Sequence, residues 1–522
     1  MGERGWGRWA VAVVIGLLAP FVVPEAMHGA EAAPACGAKD LPETGVGGNV
    51  PLADQLTGRA DQGYNCGLAL VGYSSLGGRG GNGNMAWSGD CAYIAGNGIA
   101  VVDVHDPAHP RQVQTIHGPG SDETFETIHA VDAPDRSILV AGRYGVFGFV
   151  GSGLPAPVDI WDVRDCTHPK LLSTMTFPDN VHNLTLTADG RRLWSTLPLV
   201  AADLTDPRHP TYLGSIEGDI VASGVQDLYY AHEAWPSADG TRLYVGGQII
   251  GNEELLVIDT TGWPARRAKV LGRTASPGHS IRPATIGGKQ YLVNSDESVV
   301  SPTARGCLPT SLTPVGGASQ PFLTDISTER APHVVGQFRL PINEPLNCAD
   351  QLASYVNASV HYQDVDDPND TTFVMASMWN AGLRLIDVRD PAHPREAAYF
   401  NPGRFTGTTD SFGGSPGFGE ALGVMGITGL DQAWAHSRYR ADTGQIWLTT
   451  RNGGFWVLEL EPQLRAALGL PARRSVHPAG AIPRPAATRI AVNPFAGASS
   501  AYCTLNTATA VVASAVATPF RG

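Results

Sequence analysis

The sequence predicts an all-β fold, a seven-bladed propeller of four-stranded antiparallel blades, on three observations. Short apolar segments of period two recur along the chain between clusters of Gly, Pro and Asp, the pattern of antiparallel strands and not of helices. The 62 glycines and 39 prolines suit a turn-rich chain, while a charged fraction of 16% leaves ample apolar residues for a core. A strand ending, an apolar run closed by Asp and often by a second Asp followed by Pro, returns about every 50 residues.

The clearest unit is residues 361–394. It opens on His361 and a short alternating run, turns at an Asp/Pro/Asn cluster, and continues as a second strand over 372–377. Asn380-Ala381-Gly382 supplies a turn, and a third strand over 383–388 ends at Asp390-Pro391-Ala392-His393-Pro394. In chain order the endings are Val102-Asp103-Val104-His105-Asp106-Pro107, Trp161-Asp162-Val163-Arg164-Asp165, Ala202-Asp203-Leu204-Thr205-Asp206-Pro207, Ile258-Asp259-Thr260, Thr324-Asp325-Ile326, Ile386-Asp387-Val388-Arg389-Asp390-Pro391 and Leu458-Glu459-Leu460. Each of the earlier endings is followed by a short apolar strand such as 112–116, 212–216 or 334–338. Four strands repeated seven times close into a ring with few open edges.

On this signature, over roughly residues 65–462, the chain resembles the LVIVD-repeat family of bacterial and archaeal surface proteins. The resemblance implies four-stranded propeller blades and leaves activity open, because a propeller platform hosts many functions. The last unit has three strands, over 435–440, 446–450 and 455–460, and no good fourth. Residues 68–76 read as an outer strand with no unit of their own. The N-terminal strand is therefore expected to complete the last blade and close the ring.

The ends of the chain divide as follows: a signal peptide over 1–32, an N-terminal segment over 33–64, the propeller over 65–462, and a C-terminal extension or tail over 463–522. Arg4 and Arg8 precede an apolar run over 9–23, and Ala30, Ala32, Ala33 and Ala35 offer cleavage sites. The run is short for a membrane span of ~20 residues, no later segment is longer, and the mature protein is expected to be secreted or at the cell surface. A net charge of −13 without any Lys/Arg-rich run disfavours nucleic acid as a partner. Leu41-Pro42-Glu43-Thr44-Gly45 matches a wall-anchoring signal but sits at the wrong end of the chain for one.

The seven cysteines, Cys36, Cys66, Cys91, Cys166, Cys307, Cys348 and Cys503, show no C-x-x-C spacing, so zinc ribbons and thioredoxin-like motifs are unsupported. In an exported chain they are expected to form disulfides with one left over, and Cys307 with Cys348 is the favoured pair. For Cys36 a disulfide partner is favoured over a lipid.

Aligning the units brings a histidine to the start of the innermost strand in six of seven: His129, His182, His232, His279, His361 and His436, with Gly83-Asn84-Met85 at that place in the first unit. Innermost strands line a propeller's channel, so these imidazoles are expected to ring its mouth. Strand counting puts the long irregular segments, 144–157, 217–230, 297–320, 341–357 and 401–432, on the same face. Binding residues favour such loops, which makes this face the expected contact for a protein or small-molecule partner. Clustered imidazoles suit Cu, Fe or Zn, with His182, His232 and His279 the preferred subset and Glu233 among them to orient, ligate or accept a proton. Backbone hydrogen bonding to a neighbouring blade, copied by duplication, would produce the same recurrence.

His109, His168, His209 and His393 are read as turn residues of the opposite face. Asp364, Asp366, Asp367, Asn369 and Asp370 have the composition of a calcium loop but lack its glycine and terminal glutamate, so a solvated turn is preferred. No G-x-S-x-G, H-E-x-x-H or phosphate-cradling glycine loop occurs. Two functions remain: a binding protein that holds a transition metal, and a metal-dependent oxidoreductase using the histidine ring.

Overall fold

The computed structural model describes residues 34–473 apart from 35, 144–154, 179, 226–230, 248–253, 277, 296, 298–319, 355, 357 and 406–428. Seven antiparallel sheets follow one another along the chain. Blade 1 is Met85–Ser88, Cys91–Ile94, Ile99–Asp103 and Arg111–Ile116. Blades 2 to 6 begin at the innermost strands Ile128–Ala133, Leu184–Leu186, Ala231–Pro236, Ser280–Ile286 and Gln363–Val365. Blade 7 comprises Arg438–Arg440, Gln445–Thr450 and Gly454–Leu460, and its fourth strand is Leu68–Ser74, which pairs Leu68 with Leu460 and Ser74 with Phe455. Ring closure by the N-terminal strand is thus as the sequence predicted. The layer between Val71, Trp447 and Val457 of blade 7 and Met85, Ile94 and Val102 of blade 1 is a fully buried apolar core, so closure removes the greasy face of both blades from water.

The strand ending that identifies the repeat has a local cause. In six blades the closing aspartate, Asp103, Asp162, Asp203, Asp259, Asp325 or Asp387, accepts through Oδ1 the backbone N–H two residues on, at 2.7–3.1 Å. That bond turns the chain out of the third strand. The second aspartate then pairs with the histidine three residues on, as in Asp106–His109, Asp206–His209 and Asp390–His393, which accounts for the far-face histidines as turn residues. The next turn abuts the preceding blade. A Cβ at Gly72 would lie 2.0 Å from the Pro107 carbonyl oxygen, and one at Gly336 2.0 Å from that of Pro391, so only glycine fits the outer strand there.

The N-terminal segment is more integrated than a leader to the ring. Tyr64–Cys66 adds a fifth strand to blade 6 by pairing with Arg395–Asn401, and Glu43 reaches the fully buried Arg384 at 2.5 Å, opposite Glu396 at 2.9 Å. Disulfides join Cys36 to Cys66 and Cys91 to Cys166. Cys348 is also disulfide-bonded, while Cys307 lies outside the described residues. After the last strand a helix, Pro462–Ala467, buries Arg465; the rest of the expected extension or tail, from 474 onward, lies outside the described residues. Among the described residues no helix is long and apolar enough to cross a membrane.

Candidate metal centre at the channel mouth

Antiparallel pairing puts the start of every innermost strand, the loops between second and third strands, and the blade-to-blade connections on one face. The recurring histidine therefore meets its counterparts there, and the backbone of one blade orients the imidazole of another. His232 Nδ1 donates to the His279 carbonyl at 2.9 Å, His279 Nδ1 to the His361 carbonyl at 3.0 Å, and His361 Nδ1 to the Trp434 carbonyl at 2.6 Å. Each donation puts the proton on Nδ1 and leaves the lone pair of the neutral ring on Nε2. Backbone anchoring is thus real, but it employs only one nitrogen of each ring.

The other nitrogens converge with two buried carboxylates that the sequence reading did not single out. His182 Nε2 and His232 Nε2 are 2.7 Å apart. Glu126 Oε2 lies 3.3 Å from the first and 3.6 Å from the second, while Glu126 Oε1 is 3.6 Å from His361 Nε2. Glu297 places Oε1 3.4 Å from His361 Nε2 and Oε2 2.9 Å from His279 Nε2. Despite that proximity, the wholly buried His279 Nε2 makes no hydrogen bond among the described residues. We read the short distance as contact between two acceptors, which carry lone pairs toward each other unless a cation or proton lies between them. Donors sharing one ion at metal–ligand bonds of ~2.0–2.2 Å sit roughly 2.9–3.5 Å apart, close to the spacing seen.

The same groups set one another's charge. Burial would raise the Glu126 carboxyl, but His182 and His361 outweigh it and hold the group well below the ordinary carboxylate range. Burial, then the charges of His279 and His182, push His232 well below the ordinary imidazole value, so a second proton is disfavoured on that ring. Burial also opposes a proton on His361, yet Glu297 and Glu126 prevail and raise it. Tyr362 completes the wall: its hydroxyl donates to Glu126 Oε2 at 2.5 Å and accepts from Asn183 Nδ2 at 2.9 Å.

Of the residues expected at the ring, His182, His232, His279 and His361 come together, whereas His129, His436 and Glu233 belong to a different cluster centred on buried Arg282. Glu233 Oε1 lies 2.6 Å from the Arg282 guanidinium and its Oε2 accepts the Ile281 N–H at 2.6 Å. Asp364 takes Arg282 Nε at 3.0 Å and the Ser437 N–H at 2.8 Å. His436 Nδ1 is 3.2 Å from Asp364, and the guanidinium stacks on Trp235 at 3.6 Å. Arg282 overrides the effect of burial and holds Glu233 at about 2. His129 accepts one long bond from the Leu186 N–H at 3.3 Å and sits edge-on to Trp235. Burial, then Arg282 and His436, lower its pKa to about 3, so it is a neutral ring.

Glu126 and Glu297 carried a usable signal: both lie on the face of the histidines, Glu126 in the blade 1–2 connection and Glu297 just after the second strand of blade 5. Arg282 and Tyr362 stand in or beside innermost strands, where a polar residue has only the channel to face. Asn84, which replaces histidine in blade 1, accepts the His436 N–H at 2.8 Å and so keeps the inter-blade link without a metal-binding nitrogen. The calcium-like segment behaves as a turn, with Asp366 accepting the Thr372 and Phe373 N–H groups and Asp367 that of Asn369. A third group of possible donors, Cys36, Asp40 and Cys66, has its sulfurs joined in a disulfide.

A profile of the LVIVD repeat matches residues 80–116, within the first blade and the turn before it. No curated protein matches the chain. Among solved structures the chain is similar to the β-propeller domain of Myceliophteria thermophila Cps50 (Swd1), at 11% identity and a TM-score of 0.46, covering 76% of this chain and 99% of that one. It is similar also to a chain of a mitotic checkpoint complex, at 12% identity and 0.43, covering 76% and 94%. Sqt1 from Chaetomium thermophilum follows at 13% identity and 0.37, covering 72% and 81%.

Proposed function

We propose that this seven-bladed β-propeller, which carries a match to the LVIVD repeat over residues 80–116, is an exported binding protein that holds a transition metal at its channel mouth. The protein donors are His182, His232, His279 and His361 with Glu126 and Glu297. One observation carries the reading: three imidazoles whose Nδ1 is committed to a backbone carbonyl turn Nε2 toward carboxylate oxygens at 2.9–3.6 Å. Mixed imidazole and carboxylate donors suit Cu, Fe or Zn. The blades fix the donors in place, so little ordering entropy opposes binding. Export is supported by the apolar N-terminal run and by the disulfides, which persist in oxidising compartments.

The donor set also supports the second reading, a metal-dependent oxidoreductase, because a hydrogen-bonded tyrosine stands beside the proposed ligands. A thermal-shift series tests the common premise. Untagged protein stripped with a chelator should gain melting temperature on adding Cu(II) or Zn(II), since a ligand that binds only the folded state stabilises it, and His232→Ala should remove the gain. No shift with Cu(II), Zn(II) or Fe(II) would leave a metal-free propeller that binds a partner across its loops.

A further inference from the structure

Building on that metal-site reading, we infer that the channel mouth holds two ions, not one, joined by the Glu126 carboxylate. The donors fall into two triads, Glu126 with His182 and His232, and Glu297 with His279 and His361; within each, all three donor atoms lie within 4.8 Å of one another. Glu126, a member of the first, also reaches the second. Its Oε2 faces the two nitrogens of the first triad at 3.3 and 3.6 Å, and its Oε1 faces His361 of the second at 3.6 Å. A carboxylate's two oxygens diverge, so one that serves histidines through both oxygens has the form of a bridge. Carboxylate-bridged ions stand ~3.5–4 Å apart in two-metal sites.

The two triads are satisfied differently. In the first, the 2.7 Å contact between His182 Nε2 and His232 Nε2 is a hydrogen bond, which an ion bound to both nitrogens would replace. In the second, the wholly buried His279 Nε2 has no hydrogen bond among the described residues although Glu297 Oε2 is 2.9 Å away. An ion bound in the first triad leaves His279 as it was, because His279 is not a member of that triad.

With the bridge counted, the first ion has three protein donors and the second has four, so at tetrahedral coordination the first ion alone keeps an open position. Two carboxylates balance two monovalent ions but only half the charge of two divalent ones. In the divalent state the open position therefore favours a small anionic ligand.

The test is titration of chelator-stripped, untagged wild-type protein with Cu(II), followed by equilibrium dialysis and electron paramagnetic resonance. Two equivalents should bind, and the signal of an isolated Cu(II) ion seen at one equivalent should be lost or broadened at the second as the ions couple. His182→Phe and His279→Phe should each bind one equivalent with an uncoupled signal; because the wild-type measurement decides alone, a variant that fails to fold removes nothing. Saturation at one equivalent would overturn the two-ion inference while leaving the single-metal reading in place. Two uncoupled equivalents would overturn the bridge, and no binding would overturn both.

Discussion

His279 and His436 occupy the same position of the same repeat, and the chain does opposite things with them. His279, with its three neighbours on blades 3, 4 and 6, meets carboxylates that do not complete its hydrogen bonding. His436 meets a guanidinium and two carboxylates, Glu233 and Asp364, whose charges are matched by Arg282 inside the protein. Recurrence in a repeat decides where a side chain stands; the non-repeated residues around it decide what it does. Glu126 and Glu297 make one sector the proposed metal centre, and Arg282 makes the other a structural ion network.

The largest effect should come from breaking the network. Arg282→Met leaves Glu233 and Asp364 buried without their cation and is expected to cost about 3–5 kcal/mol, read as a lowered urea midpoint, with the metal content of the surviving folded protein unchanged. The mirror change in the other sector, His279→Phe, keeps ring volume and removes both nitrogens, the Nε2 without a hydrogen bond and the Nδ1 that donates to the His361 carbonyl at 3.0 Å. Metal-free stability should change by less than about 2 kcal/mol, while the metal bound by that triad is lost.

Two aspartates two residues apart sharpen the contrast through pH. Burial raises Asp366, which faces only backbone N–H groups, to about 6. A folded value above the ordinary 3.8 means the protonated form is favoured on folding. Stability from this group is complete below about pH 4 and is lost as pH rises through 6. Asp366→Asn should accordingly gain about 1–3 kcal/mol at pH 7 and nothing at pH 3.5. Asp364 has the reverse sign: burial raises it, but His436 and Arg282 prevail and hold it at about 2. Its contribution is present above pH 3.8 and disappears as pH falls toward 2, so Asp364→Asn should destabilise at pH 7 and be neutral near pH 2. The smallest effect is expected from His129→Asn, where one 3.3 Å bond is at stake; stability should move by less than about 1 kcal/mol and metal content not at all.

The ring of blades and its closing strand were legible because they depend on local chemistry: the aspartate that ends each third strand and the period-two apolar runs act within a few residues of themselves. The histidine face was legible for the same reason, since strand direction alone sets it. The split of the ring was not. Glu126 approaches His361 across 235 positions of chain, and Arg282 meets His436 across 154, and neither distance follows from any repeat. Glu233 illustrates the limit: adjacency to His232 in sequence suggested a shared role, but successive strand residues point to opposite sides, and Glu233 turns to Arg282 instead.

The most direct measurement is elemental analysis of untagged full-length protein, compared with His232→Ala and His436→Ala purified in parallel. Stoichiometric transition metal in the wild type and in His436→Ala, with loss in His232→Ala, is the expected result. Wild-type protein that carries no metal and takes up none, or metal lost equally from both variants, would contradict the division of the ring into a metal centre and an ion network.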